Sequence, residues 1–113
     1  MPRRRRPDPL AEAVGLRIRQ LREEAGITQE KLAYESDLGS KGYLSDIEHG
    51  LALPSLARLQ VLAERLGLPL LDLVTFPERD DRQALVDRTR ALPRGALRKL
   101  LREISRARRV PLP

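Results

Sequence analysis

Residues 26–50 read GITQEKLAYESDLGSKGYLSDIEHG, and this stretch decides the fold. Thr28 and Ser40 each stand where a hydroxyl side chain caps the first turn of a helix. The pattern predicts a short helix over residues 29–36, a tight turn, and a second short helix over about residues 41–49.

Further helices are predicted on both sides of this pair. From Ala11 the apolar residues recur at helical spacing, and Gly26 ends that helix. The same patterns predict helices over residues 56–66 and from Pro69 through Val74. Five helices joined by short links predict a compact all-α domain over residues 11–76.

Pro77 marks a boundary, and two more helices are predicted beyond it, at roughly residues 80–91 and 94–108. The last helix has apolar residues on one side and a basic stripe beside them, formed by Arg98, Arg102, Arg106 and Arg109. We therefore expect residues 77–113 to form a basic αα-hairpin that docks on the domain or on a second copy of itself.

The composition excludes several kinds of site. The 113 residues include no Cys and one His, so thiolate zinc sites, disulfides, thiol nucleophiles and multi-histidine metal sites are excluded. No apolar run approaches the roughly 20 residues needed to cross a bilayer. No glycine-rich phosphate loop and no nucleophile with a base is present. We predict no enzyme activity, no catalytic residue, no metal, no cofactor and no membrane association.

Charge is distributed unevenly along the chain. The net charge is +3 over residues 1–10, −3 over residues 11–76 and +6 over residues 77–113. Residues 1–10, which contain Arg3, Arg4, Arg5 and Arg6, are predicted to be a flexible arm. Basic ends usually indicate a polyanion partner, most often nucleic acid, although a solvated basic surface gives the same pattern.

The residues from about 15 to 74 resemble the Cro-like, xenobiotic-response-element family of phage and bacterial repressors, which are helix-turn-helix proteins. The matching residues are Arg19, Arg22, Gly26, Thr28-Gln29, Leu32-Ala33, Tyr43-Leu44-Ser45-x-Ile47-Glu48-x-Gly50, Pro54-Ser55, Leu62-Ala63 and Leu66-Gly67. The resemblance implies a cytoplasmic, sequence-specific DNA-binding transcriptional regulator of bacterial or phage type, with a five-helix repressor-like domain. It also implies a homodimer on double-stranded DNA, with half-sites about 34–36 Å apart.

Family position assigns roles within this domain. The helix over residues 41–49 is the expected recognition helix in the major groove, with Lys41, Gly42 and Asp46 as base-reading positions. The expected phosphate contacts are Thr28, Gln29, Ser40 and Tyr43. Tyr43 fits packing in the core equally well, and Gly42 has no side chain with which to read a base.

The resemblance also assigns a structural ion pair and a use for the arm. Arg22 and Glu48 resemble the buried pair that ties the first helix of the family to the end of the third. An arginine arm such as Arg3–Arg6 can follow a narrow minor groove, although a solvated tail is the simpler interpretation.

Three features depart from the common family pattern. The turn at residues 36–39 is one residue longer, which would rotate the recognition helix and shift the residues that read bases. The loop Leu51-Ala52-Leu53 has leucines that we expect to be exposed, as a dimer contact or as a lid on the core, and the domain is net negative. The acidic middle, Gly42 at a reading position and Leu51 and Leu53 favour a protein-interaction module of antitoxin-like or partner-factor type as an alternative function. A third alternative is nonspecific DNA binding through the arginine tails alone. A regulatory protein is thus a second possible partner.

Overall fold

The computed structural model describes residues 8–109 and 111–113, and over these residues it contains seven α-helices and no strand. The helices are α1 (Pro9–Glu24), α2 (Gln29–Glu35), α3 (Lys41–Glu48), α4 (Leu56–Leu66), α5 (Leu70–Leu73), α6 (Asp81–Thr89) and α7 (Arg94–Arg108). The predicted all-α class is confirmed. The chain divides into two compact units, one ending at Phe76 and the other beginning at Pro77. The arm residues Arg3–Arg6 lie outside the described part of the chain.

Helix α1 begins at Pro9 rather than at Ala11. The Asp8 carboxylate caps this end, because its Oδ2 accepts a hydrogen bond from the Ala11 backbone N–H at 3.2 Å. Proline suits the first helical position, where its missing N–H costs no intrahelical bond. Residues 9 and 10 therefore belong to the helix and not to the arm.

Helices α1–α5 surround an aliphatic core. Its buried residues are Val14, Ile18, Leu21, Leu32, Ala33, Leu38, Leu44, Ile47, Ala52, Leu59, Leu62, Ala63, Leu73 and Phe76. Two glycines permit the close crossing of α1 with α3. A Cβ on Gly15 would collide with the backbone carbonyl oxygen of Ile47, and one on Gly50 would lie 2.8 Å from Glu12 Cα. The hydrophobic pattern gives no signal for these contacts, because a glycine contributes nothing to it.

The turn between α2 and α3 is closed by backbone hydrogen bonds. The Asp37 N–H donates to Tyr34 O at 3.2 Å, and the Leu38 N–H donates to Ala33 O at 3.1 Å. This pairing is a Schellman motif, with Asp37 in the left-handed region at φ 52° and Leu38 buried beneath it. Burial of Leu38 fixes the longer turn against the core and so sets the direction in which α3 starts.

The loop after α3 differs from the expectation of exposed leucines. Leu51 and Leu53 are half-buried, and Ala52 between them is buried. Leu53 packs against the core, so this loop covers the open side of the α1–α5 bundle. The leucines are therefore not exposed, and of the two roles left open for this loop, a dimer contact and a lid on the core, the packing of Leu53 fits the lid. A three-residue apolar segment has no periodicity that distinguishes the two.

The second unit contains α6 and α7, which are separated by a short link ending at Pro93. None of the residues described in these two helices is buried. Three of their larger apolar side chains are exposed, Leu85 at 51%, Leu97 at 37% and Ile104 at 44%, and Val86, Leu100 and Leu101 are half-buried. Over residues 8–109 and 111–113, every helix is too short or too polar to span a bilayer.

Candidate nucleic-acid interface

Helix α3 presents one side to the core and another to solvent. Leu44 and Ile47 are completely buried, and Glu48 is 7% exposed, so the inward face of the helix is fixed. Lys41 and Gly42, in its first turn, are exposed. The helix is therefore held along its length while its first turn remains open to a ligand.

A polar network fixes the end of α3 to α1 and α2. Arg22 Nε donates to Glu48 Oε2 at 2.7 Å, and Arg22 Nη2 donates to Glu48 Oε1 at 3.0 Å. Arg22 Nη1 also donates to the carbonyl oxygen of Ile27 at 2.8 Å, and the Glu48 side chain is 1% exposed. The hydrogen bonds to Glu48 are the main cause that raises the pKa of Arg22 above its ordinary value. A largely buried bidentate ion pair of this kind has short, directional hydrogen bonds and is shielded from water.

Gln29 belongs to the same network. Its Nε2 donates to Glu48 Oε1 at 2.8 Å, which holds the side chain over the ion pair. Sequence reasoning assigned Gln29 to a phosphate and did not foresee this bond. The amide has a second N–H, so a phosphate contact stays a prediction for a side chain whose position is now fixed.

Thr28 and Ser40 both cap helices. Thr28 Oγ1 accepts from the Lys31 N–H at 3.1 Å, and Ser40 Oγ accepts from the Tyr43 N–H at 3.2 Å. In each bond the hydroxyl oxygen acts as an acceptor, which leaves its own hydrogen available to donate to a phosphate. Their predicted phosphate contacts are compatible with this geometry and stay predictions.

The predicted base reader Lys41 lies beside Glu30. Lys41 Nζ is 3.5 Å from Glu30 Oε1, and the two side chains are 56% and 75% exposed. An exposed pair of this length is weak, so the lysine can exchange the carboxylate for a base edge. Lys41 shares one shallow depression with Thr28 and Gln29, which brings three of the predicted contact residues together.

The other two base-reading positions differ from Lys41. A Cβ on Gly42 would have only Ser40 Oγ at 3.7 Å as a neighbour, so this surface has room for a larger side chain or for a close approach of DNA. Asp46 is half-buried and already engaged within the protein. Reading by Asp46 stays a prediction and would require it to exchange its present partner for a base.

Tyr43 is half-buried and packs against the core, which is one of the two roles left open for it. Its ring also lies under Arg58 of α4, with the guanidinium carbon 5.3 Å from the ring centroid. Sequence reasoning missed Arg58, and only the approach of α4 to α3 brings the two side chains together.

The comparison with known proteins fits this geometry. The protein family described as "Helix-turn-helix" matches residues 18–73 of the chain. Over 63 residues the chain is 40% identical to the Control protein C.BamHI of Bacillus amyloliquefaciens, a match that covers 55% of this chain and 76% of that protein. The chain belongs to the helix-turn-helix family.

Two further matches place this helix-turn-helix protein among regulators and confirm the resemblance drawn from its sequence. It is 41% identical over 61 residues to the Immunity repressor protein of Bacillus phage phi105, covering 54% of this chain and 42% of the repressor. The crystal structure of the clp gene regulator ClgR from C. glutamicum superimposes with a TM-score of 0.57 and 32% identity. That match covers 63% of this chain and 90% of ClgR.

Proposed function

We propose that this helix-turn-helix protein, a DNA-binding transcriptional regulator, is a repressor that reads a two-fold operator as a homodimer in the cytoplasm. Helix α3 enters the major groove, with Lys41 as its principal base-reading side chain and Thr28, Gln29 and Ser40 on flanking phosphates. No catalytic step is required of any residue in this function.

One observation carries the proposal: α3 is locked at its end by Glu48 while Lys41 and Gly42 in its first turn remain exposed. A rigid helix with an open first turn is the geometry that major-groove reading requires. The ammonium group of Lys41 fits the O6 and N7 acceptors of guanine. Because its bond to Glu30 is weak, its release costs little.

The exposed apolar side chains of α6 and α7 support the homodimer. Leu85, Leu97 and Ile104 lie in water in a single chain, and burial against a second copy would remove that apolar surface from solvent. A two-fold dimer presents two recognition helices at matched half-sites about 34–36 Å apart.

The direct test is in-vitro selection of random duplex DNA by the full-length protein at near-physiological salt. Enrichment of a short inverted repeat supports a dimeric sequence reader and gives its half-site spacing. Binding without enrichment contradicts sequence reading and assigns the affinity to the basic ends of the chain.

A matched pair of variants tests Lys41 on the selected site. Lys41→Ala is expected to weaken specific binding by about 1–3 kcal/mol and to relax the preference at one base pair. Lys31→Ala, which removes an exposed lysine 4.0 Å from Glu35 on α2, should leave that preference unchanged. An equal loss for Lys41→Ala on random DNA would make Lys41 a phosphate contact instead.

A second candidate function is a protein-interaction module, and the charge of the first unit favours it. Residues 11–76 contain seven basic and ten acidic residues. Of the acidic residues, Glu30 and Asp46 lie on or beside the exposed surface of α3. A basic partner protein would fit that surface. Failure of the selection to yield any bound DNA would favour this candidate.

A further inference from the structure

The positive charges of the first unit are nearly all engaged within the protein. Of the seven basic residues in residues 8–76, six have a carboxylate or carbonyl partner or another polar interaction. These six are Arg17, Arg19, Arg22, Lys31, Lys41 and Arg65. A phosphate would have to displace the protein oxygen that each of these six cations binds, which is easier for the exposed pairs of Arg19, Lys31 and Lys41 than for the buried Arg17 and the largely buried Arg22.

Arg58 is different. Within residues 8–109 and 111–113, its guanidinium has neither a hydrogen bond nor an ion pair, and its central carbon lies over the Tyr43 ring, 5.3 Å from the centroid. The residue is exposed. Stacking on an aromatic face restrains the guanidinium plane without consuming its N–H donors. Arg58 is thus a positioned cation whose five donors remain available to a ligand.

The ring that positions Arg58 belongs to the recognition helix. Tyr43 follows Lys41 and Gly42 in the first turn of α3, and its partial burial against the core keeps the ring in place. Arg58 is the third residue of α4, so the Tyr43 ring holds it beside α3. A DNA duplex with its major groove around the first turn of α3 has backbone phosphates on both sides of that helix.

We propose that Arg58, held on the ring of Tyr43, binds a backbone phosphate of the DNA that flanks α3. The planar fork of arginine matches two phosphate oxygens, and the stacked position reduces the side-chain freedom that is lost on binding. Tyr43 is then a positioning residue, whether or not its hydroxyl also reaches a phosphate. This inference rests on the proposed function, because it assumes that α3 is the helix that approaches DNA.

Because the first unit is net negative, Arg58 is expected to make a measurable contribution to DNA affinity. In a unit with three more acidic than basic residues over residues 11–76, one uncompensated cation accounts for much of the local attraction to phosphate. Each phosphate contact releases counterions, so its loss reduces the magnitude of the negative slope of log affinity against log salt by about 0.9. A phosphate contact also acts equally on every base sequence.

The test compares Arg58→Ala with wild type in the full-length protein, on the selected duplex and on random duplex DNA. We expect affinity to fall about tenfold on both DNAs. The slope of log affinity against log salt should become shallower by about 0.9 on both. Arg65→Ala is the matched control, because it also removes one positive charge from α4. The Nε of Arg65 already donates to the Glu35 carbonyl oxygen at 2.6 Å. An equal change in affinity and salt slope for Arg65→Ala would show that the effect depends on net charge and not on the position of Arg58, and it would overturn the proposal.

The role of the ring is tested by two substitutions at Tyr43. Tyr43→Phe keeps the aromatic face and removes the hydroxyl, so Arg58→Ala should still cost about tenfold in that background. Tyr43→Leu removes the face, and the cost of Arg58→Ala should shrink. Thermal unfolding identifies any variant that has lost its fold. An Arg58 contribution of the same size in both backgrounds would overturn the positioning role of Tyr43.

The outcomes separate this inference from the proposed function. Unchanged affinity and salt slope for Arg58→Ala, with altered preference for Lys41→Ala, would overturn the Arg58 contact and leave sequence reading intact. Loss of binding to random duplex DNA by Arg58→Ala, with no inverted repeat selected, would support the phosphate contact and contradict reading of a two-fold operator. No binding of wild type to any DNA would overturn both.

Discussion

Helices α4 and α7 are both amphipathic and rich in leucine, yet their apolar faces have different surroundings. In α4, Leu59 and Leu62 are at most 4% exposed, whereas in α7 Leu97 and Ile104 are 37% and 44% exposed. The periodicity that predicts a helix is the same in both. An apolar stripe on a helix therefore indicates that another apolar surface is needed to bury it. Whether that surface belongs to the same chain is shown only by the packing.

The same contrast extends to charge. In the first unit, carboxylates or backbone carbonyl oxygens engage six of the seven cations, while α6 and α7 belong to a unit with eleven basic and five acidic residues. Stability in the first unit therefore rests on a core and a buried network. Stability in the second rests on helix formation, caps and whatever surface covers its leucines.

The largest expected effect distinguishes the network from surface charge. Glu48→Ala should destabilise the first unit by about 3–5 kcal/mol, because it leaves Arg22 partly buried without its carboxylate. Glu23→Ala breaks the exposed pair with Arg19 and should cost about 1 kcal/mol or less. Urea unfolding of each variant measures the difference. A stable Glu48→Ala protein with altered DNA preference would show that Glu48 belongs to the reading surface instead.

A second prediction tests the leucines of the two units directly. Leu62→Ala should cost about 2–5 kcal/mol through loss of burial and the cavity left behind. Leu97→Ala should change the unfolding of dilute protein much less, because its side chain is already 37% exposed. Urea unfolding at two protein concentrations measures both. A large Leu97 effect that grows with concentration would identify a second copy as its cover, and one independent of concentration would contradict the contrast.

A third prediction uses a glycine from each unit. Gly15→Ala should destabilise by about 1–3 kcal/mol, since the new methyl group meets the backbone of α3. Gly95→Ala in α7 meets nothing within 4 Å and should stabilise by up to about 1 kcal/mol through helix propensity. Thermal unfolding followed by circular dichroism checks both signs. A destabilising Gly95→Ala would reveal a close contact of α7 with a surface outside this chain.

The smallest expected effect is a pH dependence at the start of α6. Asp80 accepts hydrogen bonds from the Gln83 N–H at 2.8 Å and from Gln83 Nε2 at 3.0 Å, and these bonds lower the pKa of Asp80. A carboxylate with a lowered pKa in the folded state stabilises the helix start above its unfolded pKa. That stabilisation is lost as pH falls through the folded pKa.

The measurement is the amide exchange of Gln83 as a function of pH. Exchange, corrected for its intrinsic pH dependence, should accelerate at acid pH in wild type. Asp80→Asn keeps a capping oxygen and removes the titration, so its exchange should lack that acid-induced change. The same acid response in Asp80→Asn would assign it to another group.

Much of the fold follows from local sequence signals. Hydroxyl caps at Thr28 and Ser40 begin two helices at the predicted residues, because a cap is a contact over three residues. The ends of helices that depend on a side chain outside the periodic pattern are less certain. Asp8 extends α1 back to Pro9, and the helix pattern alone began at Ala11.

The candidate interface was less accessible from sequence. The family resemblance assigned Lys41 to base reading, but its neighbour Glu30, the bond from Gln29 to Glu48 and the position of Arg58 over the Tyr43 ring were not predicted. Each joins residues at least 11 positions apart on different helices. Helical spacing gives no information on such pairs, because they depend on the angles at which helices cross.

The sequence by itself determined the all-α class, the caps, the helix-turn-helix family and the separation of charge between the two halves, because these depend on neighbouring residues and residue order. The tertiary structure alone decided how close α1 and α3 approach at Gly15, that Leu53 covers the core, and which cation is left for a ligand. Those properties arise where helices meet. Burial and pairing there depend on distances in space that the order of residues does not encode locally.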